Sequence, residues 1–167
     1  MAKNVIWATI FALIAGILQS TILARLAIYR TVPDLCLGIV VYSAYVNGGM
    51  TGQLTGFFSG ILLDFLSAAP LGLNALIRTI TGALAGRFKG TFFLDAVFLP
   101  MALCAGATLL KALLLFILHI LFGKAVPAYQ MAEPAFWVEL LLNTATAPFL
   151  FALLKLFKPI LVVKGKN

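Results

Sequence analysis

Apolar positions fall into long blocks separated by short stretches rich in glycine, proline and polar residues, and the blocks predict six helices in one bundle. They cover residues 5–24, 33–47, 50–66, 71–86, 92–122 and 135–157. The first, VIWATIFALIAGILQSTILA, reads as a retained helix: its apolar core is long for a cleaved leader, and no convincing small-residue cleavage site follows it. The second and third are split by NGGMTG, and each is near or below the length of about 17 residues that a span needs. They form either two short helices or a re-entrant hairpin. Pro100, in the first third of the fifth block, either kinks that helix or separates an interfacial turn from it. Pro127 and Pro134 mark a loop before the sixth. There is no internal repeat.

Composition sets the solvent. Of the 167 residues 63% are hydrophobic and 10% charged, whereas a soluble domain is about 25% charged. The chain is predicted to be an all-α integral membrane protein, a single polytopic domain over residues 1–167, with no room for a soluble domain. With six spans, Lys3, Arg87, Lys89, Lys155, Lys158, Lys164 and Lys166 share one side, and Arg25, Arg30 and Lys124 the other. Positive loops stay cytoplasmic, so both termini are expected inside, with or without the hairpin. The net charge of +7 then describes a basic rim against anionic lipid rather than a nucleic-acid surface, since no basic stripe interleaves with aromatics.

Catalytic and metal chemistry find little footing. Cys36 and Cys104 belong to opposite halves of the membrane, awkward for a disulfide. His119 has no local ligand partner, so neither a metal nor another cofactor is indicated. Ser43, Ser59 and Ser67 lack a nearby acid and base, and no glycine-rich phosphate loop follows a strand. An enzyme is not expected.

The stretch GGMTGQLTGFFSGILLD places Gly48, Gly52, Gly56 and Gly60 four apart and Asp64 on the next step. A glycine inside a helix costs about 0.8–1 kcal/mol relative to alanine in water. In lipid, small residues let backbones approach closely and become the contact surface. Four residues advance about 400° around a helix, so a partner must cross this groove at an angle. Ala8, Ala12, Gly16 and Ser20 in the first block, and Gly82 and Gly86 in the fourth, continuing to Gly90, are also four apart. Packing within the chain is the first reading of these faces, and docking of another protein the second.

Charges within apolar blocks are expensive and face cavities or partners. Asp64 is expected near the depth of Asn74, with Arg78 one turn deeper on the face of Asn74, and the three are predicted to clamp the third and fourth helices. Lys111 lies within the fifth block, where Glu139 and Asn143, on one face of the sixth, could answer it or Arg78. In TVPDL, Thr31 reads as a helix N-cap and Asp34 as the third helical residue. These residues make either a structural polar core or an outward-open pocket for a small ligand.

Residues 32–86 resemble the signature region of the MreD family of rod shape-determining membrane proteins. The resemblance rests on Pro33, Asp34 and Leu35; on the ladder ending in Gly60 and Asp64; and on the Pro-Leu-Gly-Leu-Asn run from Pro70 to Asn74. It implies a non-enzymatic component of the bacterial cell-elongation machinery in the cytoplasmic (inner) membrane. Implied partners are MreC, MreB, and RodA paired with a class B penicillin-binding protein. The implied role is to assemble or regulate lateral peptidoglycan synthesis. It also implies a six-helix fold similar to the substrate-binding subunits of energy-coupling-factor vitamin transporters. That likeness supplies the alternative function: an outer pocket capturing a vitamin, with Ala8, Ala12 and Gly16 docking a coupling subunit. The longest outer loop, residues 123–134, offers only Lys124, Tyr129, Gln130 and Glu133 for such a ligand. An ion-coupled exporter using Asp64 and Glu139 would lack the paired repeats of many transporters.

Overall fold

The computed structural model describes residues 1–27, 29, 31–67, 69–90, 97–126 and 133–162. Arg30, Tyr129, Gln130, Lys164, Lys166, Pro127 and the opening of the fifth predicted block at residues 92–96 fall outside them. The described residues fold into α1 (Ala2–Thr21), α2 (Leu35–Asn47), α3 (Gly49–Leu66), α4 (Leu73–Ala85), α5 (Phe98–Phe122), α6 (Pro134–Leu156) and a single turn, α7 (Lys158–Leu161). Pro100 stands in the first turn of α5, where its missing N–H has no helical partner to lose, so no kink is needed. Pro134 opens α6 in the same way.

Successive helices run in alternating directions. At one end, Asn4 donates to the carbonyl of Ile160 at 3.3 Å and Asn47 to that of Leu161 at 2.8 Å. Lys89, beyond α4, donates to the carbonyl of Asn47 at 3.1 Å. The start of α1, the end of α2, the end of α4 and the short α7 therefore gather together, at what we term the termini end. The opposite end holds the α3–α4 turn and the segment around Val126, whose carbonyl meets His119 Nδ1 at 2.8 Å.

The surface is apolar and the interior partly polar. Ile6, Ile10, Ile14 and Ile17 of α1 are exposed, as are Phe57, Phe58, Leu113, Phe116, Leu141 and Phe149 on other helices. Asp34, Asp64, Arg78, Glu139 and Asn143 are buried. That inversion suits a lipid solvent. Ala2–Arg25, Phe98–Ala125 and Pro134–Leu156 are long and apolar enough to cross a membrane. The 13-residue α2 extends only about 20 Å. On the inward side, Ala8 and Ala12 pack with Cys36, Val41, Ala44, Ala147 and Leu154. Cys36 and Cys104 are buried free thiols.

The glycine ladder is covered from within the chain. A Cβ added at Gly52 would strike Ala44 and lie 2.6 Å from the Gly82 carbonyl oxygen. At Gly56 it would collide with the Arg78 carbonyl, and at Gly60 with Ala75 Cα, 2.6 Å from the Ala75 nitrogen. Gly82 of α4 and Gly86, which caps its end, answer from the other side, pressed on the backbones of Gly52 and Gly49. Thus α3 and α4 meet backbone to backbone along most of their length. Gly48 differs from its companions: at φ +103 it forms the break between α2 and α3, a conformation glycine adopts without strain. On α1, Gly16 receives the side chain of Leu63, whereas Ser20 is exposed and donates back to the carbonyl of Ile17.

Candidate functional site

The last step of the ladder explains the first group of polar residues. Gly60 brings the start of α4 against α3, and Asp64, one turn further along the same face, then meets its free amides. Asp64 Oδ2 accepts from Gly72 N at 2.9 Å and Ala75 N at 3.3 Å, and Oδ1 from Asn74 N and Asn74 Nδ2, both at 2.9 Å. The N-cap of α4 is Gly72, which has no side chain and a left-handed φ of +92. A carboxylate from the neighbouring helix therefore supplies the cap, placed at the positive end of the helix dipole. The expected contact with Asn74 is present. The expected contact with Arg78 is not: the oxygens of Asp64 are taken by α4 amides, and Arg78 turns elsewhere. Asp64→Ala should leave those donors unanswered and cost about 2 kcal/mol, at the upper end of measured caps, visible as a lowered melting temperature of the purified protein.

Arg78 binds Asp34 instead. Its Nη2 donates to Oδ1 and Oδ2 of Asp34 at 2.8 and 3.0 Å. Lys111 Nζ donates to Asp34 Oδ2 at 3.0 Å and to Glu139 Oε1 at 2.7 Å. Asn143 Oδ1 accepts from the backbone N–H of Asp34 at 2.6 Å, and its amide donates to Thr108 Oγ1 at 2.9 Å. Asp34 is itself the N-cap of α2, accepting from Leu37 N at 3.0 Å. The predicted arrangement, with Thr31 as cap and Asp34 in the helix, is therefore displaced by three residues. One aspartate thus joins α2 to α4, α5 and α6.

The four charges sum to zero, two carboxylates against two cations. Charges of this kind are tolerable in a low dielectric only when paired and hydrogen-bonded. The side chains of Arg78, Asp34 and Glu139 are 6%, 4% and 8% exposed, and that of Lys111 is 19% exposed. Arg78 Nε and Nη1 make no hydrogen bond among the described residues, so its hold on the site is the Nη2 contact and the charge. The void beside Asp34, Thr108, Asn143 and Thr146 measures about 10 Å³, the lower limit for one water molecule. Among the described residues no group of three or more His, Cys, Asp and Glu side chains is placed to hold a metal ion.

The profile of the family described as rod shape-determining protein MreD matches residues 1–157. The chain belongs to the MreD family. No curated protein and no solved structure matches it significantly. Membership assigns the chain to rod-shape determination, as a structural component of a family associated in general with the MreC-containing elongation machinery. Its apolar helices fit the membrane location of such a component. The network around Asp34 and the cap made by Asp64 both fall within or next to the Pro-Asp-Leu and Gly-x-x-x-Asp stretches that carry the family resemblance. Lys111, Glu139 and Asn143 complete the network from the part of this MreD-family chain that carries no such motif.

Proposed function

We propose that this MreD-family protein is a non-enzymatic, multi-pass component of the inner membrane. In this reading it assembles or regulates lateral peptidoglycan synthesis together with MreC and, directly or through MreC, with RodA, its class B penicillin-binding protein and MreB. The observation that carries the reading is the family match over residues 1–157. The interior supports it. The polar residues are spent on one another and on helix ends, around a void of about 10 Å³; a vitamin would need space of several hundred Å³. The outer pocket of the transporter alternative therefore has no support at the polar network.

In the same reading all six helices cross the bilayer, in an arrangement like that of the energy-coupling-factor substrate-binding subunits, with both termini cytoplasmic. The alternating helix directions favour this, and so does the charge distribution. Lys3, Arg87, Lys89, Lys155 and Lys158 belong to the termini end, whereas Arg25 and Lys124 belong to the other. Because Cys36 and Cys104 are 0% and 4% exposed, single cysteines can be introduced on a silent background. An impermeant maleimide added to intact spheroplasts should label Lys124→Cys and spare Lys89→Cys; the reverse pattern would invert the topology.

The function itself is tested by affinity purification of the tagged protein from native membranes in mild detergent, with mass spectrometry of proteins and small molecules. Recovery of MreC with cell-wall synthases and without a stoichiometric ligand is the expected result. Recovery of a coupling subunit with ATPases, or of a bound vitamin, would overturn it.

A further inference from the structure

A groove of about 580 Å³ opens between α4 and α5 at the termini end. Leu84, Arg87 and Phe88 line one wall, and Leu99, Gly106 and Leu110 the other. From Leu99 to Leu110 the helix rises about 16 Å, roughly half of a hydrocarbon core of about 30 Å. Beyond that depth the seam is shut, because Ile77 of α4 packs there with Leu114, Leu115 and Leu118 of α5. The groove is therefore one leaflet deep. A transmembrane helix would need the full thickness, whereas an acyl chain needs only its own leaflet.

Two further features narrow the occupant. Gly106 is exposed, and a Cβ built on it meets nothing within 4 Å, so here, unlike on the ladder of α3, the absent side chain leaves room that no other described residue fills. Among the described residues the rim is cationic: Arg87 lines it and Lys89 follows, while Asp34, Asp64, Glu133 and Glu139 all lie away from this end, and Asp95 falls outside the described residues. An apolar slot ending in a guanidinium at the membrane surface matches a lipid tail joined to a negative headgroup.

We propose that the α4–α5 groove binds a phospholipid with an anionic headgroup, one acyl chain lying over Gly106 and the net negative charge of the headgroup, which no choline offsets, facing Arg87. The proposal rests on the reading that both helices cross the bilayer, but its test in micelles does not depend on which way they face. Native mass spectrometry of the full chain, titrated with phosphatidylglycerol and with phosphatidylcholine of the same tails, reads the binding directly. The wild type should retain phosphatidylglycerol roughly fivefold more tightly, the value of about one basic residue against an anionic surface. Arg87→Gln should abolish the preference while both lipids still bind. Gly106→Leu, which fills the slot without a backbone clash, should weaken both. Equal retention of the two lipids by the wild type, or unchanged binding by Gly106→Leu, would overturn the proposal. A photo-crosslinker at position 106 in native membranes should yield a lipid adduct; a polypeptide adduct would overturn it as well.

Discussion

Asp34→Ala should deplete the folded protein from membranes, and any protein recovered should melt far below the wild type. Three losses coincide. Arg78 and Lys111 keep their charges but lose the carboxylate that both contact at 2.8 to 3.0 Å. Glu139 alone then faces two buried cations. The first turn of α2 loses the acceptor for Leu37 N. Removing one partner of a buried pair costs about 3–5 kcal/mol in soluble proteins, and a lost cap adds about 1 kcal/mol. Asp34→Asn keeps the shape and part of the cap, so it should recover only a minor share of the loss. Fluorescence-detected gel filtration after a temperature series would rank the three proteins. A folded, near-wild-type Asp34→Ala would mean that the network contributes little.

Gly60→Leu, and Gly56→Leu with it, should be nearly as damaging for a different reason. At both positions the added Cβ meets the backbone of α4, at Ala75 and Arg78 respectively, and backbone cannot rotate aside as a flexible side chain can. Overpacking of this kind costs about 1–3 kcal/mol even where neighbours yield. Here it also pulls Asp64 away from the amides it caps and Arg78 away from Asp34, so the effect should exceed that range. Gly106→Ala is the control, since its Cβ meets nothing within 4 Å and alanine is the better helix former. It should leave the melting temperature within a degree or two of the wild type or slightly above it, while the ladder variants lose folded protein. If the ladder variants fold normally yet fail to recover MreC, the ladder would instead serve a partner.

The ladder was legible because glycine is a poor helix former, and its regular use inside apolar blocks needs a packing reason. The sequence also shows that Asp64 and Asn74 belong together, since the Pro-Leu-Gly-Leu-Asn turn returns the chain at that depth. The true partner of Arg78 was not legible. Asp34 and Asp64 are two carboxylates near one end of adjacent helices, and nothing in linear spacing ranks them. What decides is local. Gly72, at the N-cap, has no side chain of its own, so the amides of α4 claim Asp64 and leave Arg78 to the aspartate 44 residues away. A glycine preceding a helix, without a capping side chain, is the signal that would have assigned Asp64. Likewise Thr31 matched a capping pattern, but Pro33 sits directly before Asp34, and the helix starts only after it. Glu139 was within reach of Lys111 by depth alone, and the two meet at 2.7 Å. That Asn143 would hold the backbone of Asp34 required knowing how α6 packs on α2.

Taken together, the polar residues of this MreD-family protein form an electrically neutral lock that joins α2, α4, α5 and α6, rather than a site open to a ligand. Neutrality can be tested without removing Asp34. Lys111→Met and Glu139→Gln each leave one uncompensated charge among the remaining three, whereas the double substitution restores balance between Asp34 and Arg78. Melting temperatures of the wild type, both single variants and the double variant, measured in one detergent, form the decisive cycle. The double variant should lie closer to the wild type than either single. Losses that simply add would contradict the neutral lock and return these residues to separate roles.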